Sequence, residues 1–472
     1  MENIERRRTQ RPGAVLKALY NGLIFIACCA CLGVAAQTAV PGTPVGEIEY
    51  ARGVGFAQSP GQTPRTLGKG LPLSQSDRIT TAEGATAIVL LQDGTRMTVR
   101  PNSELVLQQY QYQASANVPS ADNSMVLALL RGGLRVLTGL VSKNLPGAAR
   151  IQTPTATVGI RGTDFDIRLC GTDCTAESAR VQDRPRPNAV QASAKVVTVE
   201  GGMNAVDGAG QKRLLVKGAS VYPGDVVETE AATRAVLAFR DDSRVSLGAQ
   251  TRFRVDNFVF DDKNPTEGRF LASLLRGSVR ALTGLIAKSN NRNVGFNTPT
   301  ATVGIRGTGL DMDCADAGCS LFTWLGSIEV TPDPAVAPTG QTALQVLEAG
   351  QGLFVGPQGV RALTESPLNG LPRPDGVPVD SKSLFLSSHA AENDEGLYVY
   401  VRDGHIEIIT AKEVLQLGRG EAGFAAPDGR TDRPAVVPRF IDFDRSPLPN
   451  TRNVGLISVL DDLGLRVSNQ CR

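Results

Sequence analysis

Histidine and tryptophan are nearly absent, with two His and one Trp in 472 residues and aromatics at only 5%. So little histidine leaves almost no room for His-based catalysis or a His-rich metal site. Charge of neither sign dominates, because 49 basic side chains face 47 acidic ones. A nucleic-acid-binding surface is therefore not expected to be the main business of the chain. No phosphate loop or dinucleotide fingerprint occurs, although glycine is abundant. The 50 glycines and 28 prolines make turns frequent and disfavour long uninterrupted helices. A hydrophobic fraction of 41% and a charged fraction of 20% are those of a globular protein.

The long uncharged run lies at the N-terminus. Arg6, Arg7, Arg8, Arg11 and Lys17 precede Ala18 to Ala36, which carries no charge and ends in Val34-Ala35-Ala36-Gln37. This is the layout of an export signal peptide over residues 1–36, with a cut expected after Ala36. Left uncut, residues 18–36 are long enough to anchor the chain in the inner membrane as a helix. Cys28, Cys29 and Cys31 add a lipoprotein reading, which Phe25-Ile26-Ala27 fits badly. All three readings put the rest of the chain outside the cytoplasm, in the periplasm or at the cell surface. Without residues 1–36 the balance becomes 44 basic to 45 acidic side chains.

Laid on itself, the chain repeats. Leu129 to Leu140 reappears as Leu274 to Leu285, and Thr153-Pro-Thr-Ala-Thr-Val-Gly-Ile-Arg-Gly-Thr163 recurs letter for letter as Thr298 to Thr308. Over that stretch 21 of 35 positions are identical. Upstream, Gln92 to Val99 answers Arg240 to Leu247, Asp77 answers Asp225, and Thr81 answers Thr229. A period near 148 residues is the size of a domain, so the chain carries a tandem domain duplication. Apolar stretches such as Ala85 to Leu91, alternation through Ala156, Val158 and Ile160, and turn signals such as Asp93-Gly94 predict short strands. The expected class is all-β, built as a sandwich or a short β-helix.

A smaller module of strand, glycine, variable loop, apolar strand and second glycine recurs near Gly53 to Gly70, Gly201 to Gly218, Gly326 to Gly350 and Gly404 to Gly420. The boundaries expected from these patterns are 45–195 and 196–360 for the two copies and 361–383 for a Pro/Gly-rich linker. A partial third unit is expected over 384–426 and a C-terminal tail over 427–472.

Gly224-Asp225, Thr229, Asp241-Asp242-Ser243, Leu275-Arg276-Gly277, Thr298-Pro299-Thr300 and Gly304-Ile305-Arg306-Gly307-Thr308 together resemble the core run of the FecR domain. Asp77, Asp93-Gly94, Leu130-Arg131-Gly132 and Thr153, Pro154, Gly159, Arg161, Gly162 and Thr163 carry the same resemblance in the first copy. That family is the extracytoplasmic part of regulators of bacterial iron uptake. The resemblance implies tandem FecR-like domains, and outer-membrane receptors as one class of partner. The naming regulators also carry a cytoplasmic anti-sigma domain, for which the 17 residues ahead of the apolar run leave no room.

Few constellations suggest chemistry. Cys170 with Cys174 and Cys314 with Cys319 follow the Arg-Gly-Thr strand of each copy, and in an exported protein they read as disulfides pinching hairpin loops. Cys471 is left over. A metal site of Asp164, Asp166 and Asp173 with the thiols lacks His partners and good spacing. Arg161 and Arg306, flanked by glycine, either present guanidinium and amides to an anion or pair with an aspartate such as Asp166 or Asp311 to hold two strands together. Asp241-Asp242 and Asp261-Asp262 read as solvated turn residues more readily than as a glycosidase pair. Ser74 and Ser76 have no nearby His, and His389 and His405 come late. No catalytic, cofactor or metal residue is assigned. The expected role is an exported, non-enzymatic interaction or sensory protein of the cell envelope with a protein or polysaccharide partner. A structural spacer and an iron-uptake regulator stand as alternatives.

Overall fold

In the computed structural model, residues 43–114, 120–145, 147–368, 370–386 and 394–442 are described. The expected signal or anchor (1–36), His389, Cys471, the tail from 443 onward and the Thr308 side chain lie outside the described residues. The described chain forms two 15-stranded sheets and one two-stranded ribbon, with short helices only. No helix among the described residues is long and apolar enough to cross a membrane.

Long strands organise each sheet. In the first copy they are β1 (Ser124–Leu137) and β2 (Thr157–Cys170), the latter running through the disulfide Cys170–Cys174 into α1 (Asp173–Arg180). The second copy opens with β3 (Ala194–Glu200) and repeats the pattern with β4 (Arg269–Leu282) and β5 (Ala301–Ala315). It continues directly into β6 (Gly318–Pro332), β7 (Gln345–Glu348) and β8 (Gly352–Gly356).

Most of the described strands are short, as expected, and six of 14 or 15 residues run through the glycines between them. The turn-like glycines fall inside the strands, where the strands change neighbours. The first half of β1 pairs with residues 104–111, and in parallel with 149–152. Its second half pairs with residues 96–99 and with β2, and the switch comes at Gly132-Gly133. β4 switches at Gly277 in the same way. Each sheet thus holds two sets of pairings joined by strands that belong to both, a bulged corner of the kind that bends a sheet over its own core.

β5 and β6 form a hairpin paired from Ala301↔Pro332 to Ala315↔Gly318. β2 has no such neighbour in sequence, because α1 carries the chain away. Its free edge is filled by β9 (Gly396–Ile409), from Thr157↔Ile409 to Cys170↔Gly396. β10 (Val414–Gly418) and β11 (Ala422–Ala425) then pair with β9 as β7 and β8 pair with β6. The segment expected to open a third unit is therefore the missing C-terminal part of the first. Copy two is inserted into copy one. The physical reason is plain: an unpaired β2 would leave a long row of backbone donors and acceptors unmet.

The apolar faces agree. Val158, Ile160, Phe165 and Ile167 of β2 share one core with Val399, Val401, Ile406 and Ile408 of β9, and all are fully buried. A separate core fills copy two. The expected linker is docked on copy two, with Arg280 donating to the carbonyls of Leu371 (2.6 Å) and Leu368 (3.2 Å). The expected tail begins inside the fold, since Thr431–Asp432 pairs with β11 and Arg433 is fully buried. Its charge needs partners that the core supplies.

Ile406→Ala, in the return segment, should cost about 2–5 kcal/mol and lower hydrogen-exchange protection of β2, far away in sequence. Loss of protection confined to residues 394–442 would contradict the shared sheet.

Candidate ligand cleft between the copies

The motif residues build corners and turns. Thr153 closes the turn before β2: its Oγ1 donates to the Ala156 carbonyl (2.8 Å) and accepts from the Ala156 amide (3.0 Å), with Pro154 inside the loop. Thr298 repeats this around Pro299 with Ala301 at 2.9 and 3.0 Å. Gly159 and Gly304 sit opposite Glu407 and Glu329, leaving room on that face for the neighbouring arginines. Gly162 and Gly307 mark the corners of β2 and β5, and Thr308 follows in the same strand. Gly404 of β9 lies against the first corner at φ +91°, where a Cβ would meet the Gly162 carbonyl oxygen at 2.4 Å. Thr163 ties the corner to both neighbours, donating from Oγ1 to the His405 carbonyl (3.1 Å) and from its amide to Thr138 Oγ1 (2.7 Å).

Arg161 pairs with Glu407 of the return strand at 2.9 Å, and Arg306 makes the same cross-strand pair with Glu329. The expected aspartate partners are otherwise engaged, Asp166 by Arg402 (2.6 Å) and Asp311 by Arg280 (2.7 Å). The glutamates come from the strand that completes each sheet, so they lay hidden in the smaller module. Asp164 and Asp173 also face arginines, Arg135 (3.1 Å) and Arg168 (2.6 Å), and no metal-binding group is found among the described residues. Asp241 is buried instead of solvated, accepting from the Ser243 amide (3.1 Å) and hydroxyl (2.8 Å).

Both cysteine pairs are disulfides. Cys314–Cys319 pinches the β5–β6 hairpin, as expected. Cys170–Cys174 instead joins the end of β2 to the first turn of α1, because no hairpin follows there.

The two copies meet over a buried ionic cluster. Lys195 of β3, fully buried, lies 3.0 Å from Glu421 and donates to the Gln416 carbonyl at 3.0 Å. Arg433 pairs with the same carboxylate at 3.0 Å and also donates to the carbonyls of Ser383 (2.8 Å) and Leu386 (2.9 Å). Burial pushes the Lys195 ammonium down to about 8, with Glu421 opposing and Arg433 assisting.

Beside this cluster opens a cleft of about 430 Å³ walled by both copies. Arg161 and Gly162 line it from β2, His405 from β9, Lys143 from the first copy, Lys212 and Arg213 from the second, and Arg419 from the return segment. Arg213 is paired with Asp225, and Arg419 stacks on the Tyr222 ring at 4.3 Å. Among the described residues no carboxylate pairs with Lys143, Lys212 or Arg419. His405 is 5% exposed and neither ring nitrogen has a hydrogen-bond partner; Gln416 and the Leu417 backbone lie alongside without completing one. A second cavity, about 760 Å³, is lined by Lys382, paired with Glu413 at 2.7 Å, and by the exposed Lys217 and Lys412, which pair with no carboxylate among the described residues. Of the cleft residues, Arg161 and Gly162 stood out in the sequence as motif residues, Gly404 as part of the smaller module and His405 as one of the two histidines. The others come from four separated segments without a shared pattern.

Burial, with Lys195 and Arg161 adding to it, pushes the His405 imidazole down to about 3 from the ordinary 6.5. The folded state then binds fewer protons than the unfolded chain between these values. This stability is complete above 6.5 and is lost as pH falls toward 3, at roughly 1.4 kcal/mol per pH unit. Denaturant titrations should show wild type losing stability more steeply than His405→Gln between pH 6 and 4.5. Parallel curves would contradict a buried neutral imidazole.

Comparison with known proteins agrees with the repeat. A search of the curated proteins finds no match. Two solved structures, at 1.65 and 2.50 Å, of a protein described as a proposed anti-sigma factor from Parabacteroides distasonis are similar at 15% identity and a TM-score of 0.24. Each match covers 30% of this chain and 60% of that one, and nothing is argued from it. Residues 77–180 and 225–329 each match the family described as FecR protein, so the chain carries a tandem pair of FecR domains.

Proposed function

We propose that the chain is an exported, non-enzymatic interaction and sensory protein of the cell envelope, which binds a protein or polysaccharide partner at the cleft between its two copies. The observation that carries this is the cleft itself. It is walled by both copies and it collects, beside Asp207 and Asp403, three cations from distant segments that form no ion pair with a described carboxylate. The motif residues Thr153, Thr163, Thr298 and Arg306 have partners within the fold. The FecR match favours a signalling-type role. The export layout of residues 1–36 favours a periplasmic or surface location.

Residues 37–472 used as bait on envelope extract should retain one defined partner, and Lys212→Gln with Arg419→Gln should reduce its capture at least tenfold. Capture unaffected by both substitutions would overturn the cleft as the binding site. No capture, with an elongated shape in small-angle scattering, would favour a spacer. Turnover of an envelope glycan, abolished by one carboxylate substitution, would overturn the non-enzymatic reading.

A further inference from the structure

The cleft has a definite chemistry. Three cations without carboxylate partners, Lys143, Lys212 and Arg419, approach it from three different segments. All three are exposed. Deeper in the cleft the polar groups are buried: both ring nitrogens of His405, one a donor and one an acceptor in the neutral ring, and Nε of Arg161 lack hydrogen-bond partners. An unpaired buried polar group is costly, so a native structure that keeps several at one place is set up to receive a hydrogen-bonding ligand there. The carboxylates of Asp207 and Asp403 also face the cleft. Asp207 has one oxygen committed to the amides of Ala209 (2.9 Å) and Gln211 (2.8 Å), which lessens its opposition.

The equivalent face of copy two is different. There the Arg306 and Glu329 pair is exposed, at 53% and 31%, with no second copy folded over it. In copy one the matching pair is 22% and 15% exposed because copy two closes the space. A shared motif has become a pocket at one of its two occurrences only.

We propose that the group this cleft recognises is a phosphate-type oxyanion, either free phosphate or the phosphate of a phosphorylated sugar such as a unit of the polysaccharide partner. His405 and Arg161 would supply the buried donors, and Lys143, Lys212 and Arg419 the balancing charge. A doubly charged anion with several acceptor oxygens suits cations that converge from three sides, which a single carboxylate would not satisfy. A volume of about 430 Å³ has room for one hexose carrying the group. This inference rests on the reading of the cleft as a binding site, and it names the ligand class.

The test uses the whole exported chain. His389 and His405 are its two histidines, so the ring resonance of His405 can be followed directly, with His389→Gln fixing the assignment. At 0.15 M salt, inorganic phosphate or glucose 6-phosphate should shift that resonance saturably. Lys212→Gln with Arg419→Gln should weaken binding at least tenfold, whereas Arg292→Gln, an exposed cation outside the lining, should leave it unchanged. Tighter binding of the sugar phosphate by tenfold would identify the ligand as a phosphorylated sugar, and equal binding would identify free phosphate; both support the site. No saturable shift, or equal affinity in the double variant, overturns the oxyanion. If the double variant nonetheless loses its envelope partner, the cleft remains the binding site and only the ligand class is wrong.

Discussion

The antiparallel pairing of β2 with β9 is the contact on which the rest of the molecule depends. It closes an edge that would otherwise expose backbone groups along the length of Thr157–Cys170. It also dictates that the chain between these strands, including all of copy two, must leave copy one and return. A loop of that length adds little to the closure cost, because the entropy of closing grows only slowly with loop length. The interleaving of the two copies then follows. With both ends of copy two held by copy one, the copies share a face, and that face holds the Lys195, Glu421 and Arg433 cluster and the cleft beside it.

Burying those three charges is expensive, and their mutual attraction with the surrounding carbonyls largely offsets the cost without a large gain. Their contribution is better understood as specificity. Glu421 lies just before β11, Lys195 in β3 of copy two, and Arg433 beyond the expected end of the fold. A shifted register of the return segment would strand at least one charge in the core. Such a cluster rejects wrong seatings more than it strengthens the right one.

Much of this was legible in the sequence. The repeat, the all-β class, the cysteine pairs and the recurring glycine module were all visible as pattern. Two things misled. The apolar runs looked like short strands, and glycines such as Gly404, which read as turns or bulges, are bulges inside 14-residue strands. The return segment looked like the start of a new unit because strand periodicity records which face is buried and not which strand lies beside it. The one cue was Glu407, standing where Glu329 stands in the second copy. The cleft had no such cue, since Lys143, Lys212, His405 and Arg419 share no motif and meet only after insertion of copy two.

The insertion is most directly tested by cutting the chain. A protease site placed between Leu386 and Asp394, then cleaved in the folded protein, would leave residues 394–472 attached only by non-covalent contacts. The account predicts that both fragments co-elute in gel filtration under native conditions and separate only in denaturant. Release of the C-terminal fragment in native buffer, with the remainder still folded, would contradict it.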